Sequence, residues 1–111
     1  MIRSNKVTKS AKDERCTLRI PGVCVESIGE EITATTVFAH FPDESSGRGI
    51  KSDDISGGYA CGHCHDLIDG RVPPPEYLLH TWDKDKEFFM RRSQTRTLRL
   101  LIEKGLVRYG E

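Results

Sequence analysis

Four cysteines and four histidines, set among clustered aspartates, are the residues of this 111-residue chain that could do chemistry. Cys16 and Cys24 form one pair with seven residues between them, and Cys61 and Cys64 form a second with two. A Cys-x-x-Cys turn sets two sulfurs on one side of a tight backbone reversal, as adjacent corners of a tetrahedron require. A second pair completes the figure, with Zn–S distances near about 2.3 Å. The alternatives are a redox pair or ordinary disulfides. A redox pair wants a βαβ context, which the flanking sequence lacks, and it would leave Cys16 and Cys24 without a role.

His40 closes a β-prone run and opens a long loop, where a strand-end side chain can meet a substrate. A histidine near neutrality can take a proton from water as general base. His65 follows Cys64 directly, and on a helix it shares a face with Asp69 at i+4. Asp53 and Asp54 precede the next strand. Together these side chains offer nitrogen and oxygen ligands to a hard or borderline cation.

The surrounding elements must position them. Cys16-Thr17-Leu18-Arg19-Ile20 alternates and reads as a short strand, turned by Pro21-Gly22 into Val23-Cys24. Thr35 to Phe41 is the best strand in the chain, ended by Pro42. Residues 42–58 form a Gly/Ser-rich loop, and Tyr59-Ala60 a second strand. A helical turn follows to Asp69, with Gly70 at its C′ position. Glu76 to Trp82 reads as a short helix. A long helix over 84–104 has Asp83 as N-cap and Gly105 beyond its end. Met90, Thr97, Leu98, Leu101 and Ile102 fall on its core stripe, and Arg92, Arg96 and Arg99 on a basic ridge.

Composition bounds the rest. With 36% hydrophobic and 31% charged residues, the core of so short a chain needs a staple. The net charge of zero is unevenly spread. Residues 1–15 hold five bases against two acids, residues 91–111 six against two, and the acids concentrate between. Basic ends around an acidic centre suit a polyanion gripped at its edges, with cations held near the middle. No run reaches the roughly 18 apolar residues of a membrane span, and the first residues lack the apolar stretch of a signal peptide. A cytoplasmic location is the expectation, and it favours metal over disulfide.

Taken in order, Ala39-His40-Phe41-Pro42, a Gly-rich loop, Asp54-Ile55 and Cys61-Gly62-His63-Cys64-His65 resemble the HNH (ββα-metal) nuclease motif. The resemblance is closest to small prophage-encoded nucleases of the YbcO type, related to the phage Ref nuclease. Cys16 through Cys24, Lys51-Ser52-Asp53-Asp54-Ile55 and Cys64 through Arg71 carry it, over residues 10 to 105. It implies an α+β fold: a flexible basic arm over 1–15, then one domain over 16–111 with a four-cysteine zinc site. It implies His40, Asp54 and His65 as the catalytic set, His40 acting as base and the other two holding Mg²⁺ or Mn²⁺. Arg48, Lys51, Arg71, Arg92, Arg96 and Arg99 would meet the phosphates of single-stranded or duplex DNA, largely without regard to sequence. A RecA–DNA filament follows as a target by analogy. Two positions depart from the motif: Ala39 stands where many such enzymes carry an acidic ligand, and Asp54 where they carry Asn. His63 and His80 have no motif position. The alternative is a zinc-stabilised DNA-binding or adaptor module without catalysis.

Overall fold

The computed structural model describes residues 3–42 and 53–108. Helix α1 spans Asn5–Lys9. Strands β1 (Val37–His40) and β2 (Gly57–Ala60) pair antiparallel, with His40 opposite Gly57. Helix α2 covers Gly62–Ile68, a 3₁₀ turn Glu76–Leu78, and helix α3 Trp82–Glu103. The order is therefore α+β, with a two-stranded sheet and a long C-terminal helix.

Within the N-terminal segment, α1 is locally capped and anchored. The Ser4 hydroxyl caps α1 by accepting from the Val7 amide at 3.3 Å. Val7 and Ala11 are buried, so the basic residues lie on the outer side of an anchored helix. Further anchors are Ser10 Oγ to Tyr59 Oη at 2.7 Å and Lys104 Nζ to Glu14 at 3.0 Å.

The segment expected as a strand over 16–20 is not one. The Thr17 amide donates to the Tyr59 carbonyl at 2.8 Å, but Arg19 turns out of the ladder with φ +46°. A single bridging residue replaces a third strand, and the exposed edge of β2 is covered by hydroxyls. Thr17 Oγ1 reaches the Tyr59 carbonyl at 2.9 Å, and Thr97 Oγ1 accepts from the Tyr59 amide at 3.1 Å. Thr17 also bonds Ser93 Oγ at 2.6 Å. These groups are buried, and the backbone they satisfy would otherwise be a costly orphan.

That node explains the corrected face of α3. Its buried side is Phe89, Met90, Ser93, Thr97 and Leu101, whereas Leu98, expected in the core, is 45% exposed. Small hydroxyl residues at 93 and 97 let the helix approach β2 at Gly58, where a Cβ would lie 2.1 Å from Ser93 Oγ. The helix also begins earlier than expected. Thr81, not Asp83, is its N-cap, because Trp82 packs on the core and is drawn into the first turn. Both glycine stops hold. Gly70 and Gly105 adopt φ of +78° and +74°. The Arg71 amide returns to the Asp66 carbonyl, and the Leu106 amide to the Leu101 carbonyl, each at 2.9 Å.

Candidate functional site

The four cysteines meet inside the core. Each is buried and unpaired by disulfide, and their sulfurs lie within 4.8 Å of one another. Cys61 Sγ stands 4.0 Å from Cys24 Sγ. A tetrahedral ion with Zn–S bonds of about 2.3 Å separates its sulfurs by about 3.8 Å, so the group fits zinc with little adjustment. Local structure aims each pair. The Cys24 and Val23 amides fold back onto the Ile20 carbonyl at 2.9 and 3.1 Å, with Gly22 at φ +79° making the turn. Cys61 is the N-cap of α2, its sulfur accepting from the Cys64 amide at 3.5 Å.

The sulfurs also perturb one another. Burial, reinforced by the neighbouring Cys16 and Cys61 sulfurs, pushes the Cys24 thiol up to about 12. Hydrogen bonds from Cys16 and Cys64 push Cys61 the other way, well below a thiol's usual range, and its neighbours push Cys64 up. A divalent ion ionises all four and holds them together.

On β1, Ala39 and His40 face opposite sides of the sheet. Ala39 is 1% exposed and belongs to the apolar core with the cysteines. A carboxylate at that position would enter the core rather than join His40. His40 Nε2 lies 2.7 Å from Asp54 Oδ1. Asp54 is buried in the turn over 53–56, closed by the Ser56 amide on the Asp53 carbonyl at 2.9 Å. Burial opposes the charge on Asp54. The hydrogen bonds from His40 and the Ser4 amide, with the Arg3 charge, outweigh it and hold the carboxyl below its usual 3.8. Because the folded value is the lower one, this network stabilises the fold at neutral pH and is lost as pH falls through it. An ionised Asp54 accepts, so Nε2 of His40 carries the proton. In the neutral ring Nδ1 is then left as the basic atom.

His65 has a carboxylate partner of its own. Its Nε2 pairs with Asp69 Oδ2 at 3.1 Å, the i+4 contact expected on α2. The three residues that the resemblance implies for catalysis, with Asp69, thus stand in two His–carboxylate pairs, His40–Asp54 and His65–Asp69. Among the described residues, the cysteines are the one group of three or more metal-type ligands drawn together.

The family described as "Putative nuclease YbcO" matches residues 5–106. The chain belongs to the YbcO family. Among relatives, "Putative nuclease YbcO" of Escherichia coli (strain K12) is 39% identical over 65 residues, 58% of this chain and 62% of that protein. "Putative nuclease ybcO" of Enterobacteria phage 82 gives the same figures. The alignment therefore spans less than two thirds of either relative. A solved structure titled "Structure of a putative bacteriophage protein from Escherichia coli str. K-12 substr. MG1655" superposes with a TM-score of 0.63 and 26% identity. It covers 89% of this chain and 99% of that one.

The basic residues are placed less simply than a ridge on α3. Arg92 donates to the Leu18 carbonyl at 2.7 Å, and its guanidinium stacks on Phe88 and Phe89 at 5.4 and 5.2 Å. Arg96 donates to the Thr17 carbonyl at 3.2 Å, and burial beside Arg92 and Arg19 lowers its pKa. Arg99 is exposed. Arg71 is paired with Asp66 at 3.1 Å and Asp69 at 3.2 Å. Arg48 and Lys51 lie outside the described residues. His63 contacts Glu30 at 3.0 Å, and among the described residues no helix is long and apolar enough to cross a membrane.

Arg92→Gln is accordingly expected to lower stability by about 1.5–3 kcal/mol, the worth of a charged donor on a shielded carbonyl. A thermal melt checks this. A variant with unchanged melting temperature and weakened DNA binding would return Arg92 to the nucleic-acid face.

The sequence reading missed Arg3 and Ser4. The Ser4 amide donates to Asp54 Oδ2 at 2.5 Å, and Arg3 Nη1 lies 3.3 Å from Oδ1. Contacts some 50 residues apart in sequence leave no periodic signal. The one hint was a cap-type Ser4 beside a basic residue.

Proposed function

We propose that this chain is an HNH-type, metal-dependent endonuclease acting on DNA, with His40 as general base. The observation that carries the reading is the His40–Asp54 pair at 2.7 Å, on the strand end where a substrate can approach. Asp54 holds the Nε2 proton and so leaves Nδ1 to accept one from water as it attacks phosphorus. The family's printed description, a nuclease, supports the same chemistry.

A divalent cation, Mg²⁺ or Mn²⁺, is assigned to His65 with an aspartate. Asp54 is the carboxylate in the motif position, and Asp69 is the one in contact with His65. When bound, the ion supplies Lewis-acid stabilisation of the charge that develops on the phosphate oxygens. Zinc at the four cysteines is structural. The DNA, single-stranded or duplex, is gripped by its backbone, with Arg99 the best-presented member of the ridge. A RecA–DNA filament as the target, a role in recombination or repair, and a cytoplasmic setting belong to the same proposal.

One observation favours the non-catalytic module instead: His40–Asp54 and His65–Asp69 stand as two pairs rather than one cluster. Incubating zinc-loaded protein with plasmid and single-stranded DNA, with Mg²⁺ or Mn²⁺ added and then with EDTA, decides between them. Cleavage that requires the added ion is expected. Binding without cleavage under any ion would select the module.

A further inference from the structure

The outward face of α3 carries cations along most of its length. Lys84, Phe88, Arg91, Thr95 and Arg99 recur at i, i+4, i+7, i+11 and i+15, one stripe of an α-helix, and all five are exposed. The stripe lies opposite the buried side formed by Phe89, Ser93 and Thr97, and the acids of the helix, Asp83, Asp85, Glu87 and Glu103, fall off it. Arg15, Arg71 and Lys104 each have a carboxylate partner. Among the described residues, Lys84, Arg91 and Arg99 have none. Over about 22 Å of helix the stripe thus presents three cations and no anion. Between the first two stands an aromatic ring. Phe88 is 59% exposed. Its ring is nevertheless fixed, because the Arg92 guanidinium lies over it at 5.4 Å and Phe89 packs against it in a T-shape with centroids 5.7 Å apart. Arg92 is itself held on the Leu18 carbonyl. One exposed apolar side chain is ordinary. A ring held in place by a tethered arginine, within an acid-free row of cations, is not: it offers both contacts that an unpaired nucleotide uses, to base face and to phosphate.

We propose that the outward face of α3 is a binding track for single-stranded DNA, with Phe88 stacking on a base and Lys84, Arg91 and Arg99 meeting the phosphates. The inference rests on the nuclease reading above and names the form of its substrate. Stacking needs a base whose face is free. Inside a duplex both faces are taken by neighbouring base pairs, so a helix lying against duplex DNA would use its cations and leave Phe88 idle. In a single strand the bases can turn out, and every base has a π-face, so the contact is tolerant of sequence. Arg92 adds a positive charge at the ring without giving up the Leu18 carbonyl. Holding the ring in advance also lowers the ordering cost of binding.

The test uses the full zinc-loaded chain and the variants Phe88→Ala, Phe88→Leu and Phe88→Trp. Binding of a fluorescein-labelled single strand, and of the same sequence as a duplex, is read by anisotropy across a salt series with no Mg²⁺ or Mn²⁺ added. Phe88→Ala is expected to weaken single-strand binding about five- to fiftyfold with an unchanged salt slope, since a stacking contact is lost and no charge. Its duplex affinity should move by less than about twofold. Phe88→Leu keeps apolar bulk without a π-face and should lose nearly as much, whereas Phe88→Trp should bind as wild type does or more tightly. Arg91→Gln should instead reduce the single-strand salt slope by about one contact. Wild-type single-strand affinity in Phe88→Ala, or an equal loss on duplex, would overturn the track. So would Phe88→Leu binding as well as Phe88→Trp, which would make the contact one of apolar bulk alone. Should Phe88→Ala melt early, the comparison of the Leu and Trp variants, both large, decides in the same way. If wild type cleaves DNA with added metal while Phe88→Ala binds single strands normally, the track falls and the nuclease reading stands. If wild type cleaves nothing yet the Phe88 variants behave as expected, the nuclease reading fails and the track stands.

Discussion

Cys61→Ser is expected to release zinc and unfold most of the chain, the largest effect of any single substitution in this protein. Cys61 holds three roles at once: a corner of the sulfur tetrahedron, the N-cap of α2 and a fully buried member of the core. The four sulfurs join segments far apart in sequence. The turn over 16–24 has no ladder of its own, and its contact with β2 is a single bridging residue, Thr17. Metal binding in such small domains contributes on the order of 10 kcal/mol, comparable with or larger than the whole stability of a domain this size. A serine hydroxyl is a poor zinc ligand, and three thiolates leave one corner open. Metal analysis of the purified variant and a circular dichroism melt read the outcome. Stoichiometric zinc with an unchanged melting temperature would rule out a structural role for the cluster. Chelation of the wild type should reproduce the loss, with zinc restoring the melt.

The second large effect falls mainly on chemistry. His40→Ala should reduce DNA cleavage by about 10²–10⁴-fold, the usual loss on removing a general base. Zinc content and DNA affinity should stay close to wild type, and the melting temperature should fall only modestly, through the lost bond to Asp54. The separation of effects follows from position: His40 lies outside the sulfur cluster, at a strand end and only partly buried, so truncation opens no core cavity. Asp54 would keep its Ser4 and Arg3 contacts. His65→Ala should also lower cleavage, but by weakening the cation site, so excess Mn²⁺ should restore part of it. The same excess should do nothing for His40→Ala. Equal cleavage by His40→Ala and wild type would remove His40 from the reaction.

Several features were determined by sequence because they depend on residues close together or on side-chain type. Cys-x-x-Cys at the head of a helix, Pro-Gly between two cysteines, and glycine beyond each of α2 and α3 act within one turn of chain. Each stands in the structure where its local chemistry demanded it. His65 and Asp69 pair because i and i+4 on any α-helix are neighbours. The cysteine cluster could be inferred from count and spacing, since four thiols in a chain short of apolar residues have few other uses.

Tertiary structure decided the features that depend on distant contacts. Periodicity placed Leu98 in the core and Arg92 and Arg96 on an outer ridge. The strand edge at Tyr59 instead required hydroxyls at 93 and 97, which rotated α3 and turned both arginines onto the carbonyls over 17–19. The pairing of His40 with Asp54 was likewise set by the turn over 53–56. The arrival of Arg3 and Ser4 on the same carboxylate depended on the docking of α1. No local rule links position 4 to position 54. A buried carboxylate must find donors wherever the fold brings them, and here it found them at the start of the chain.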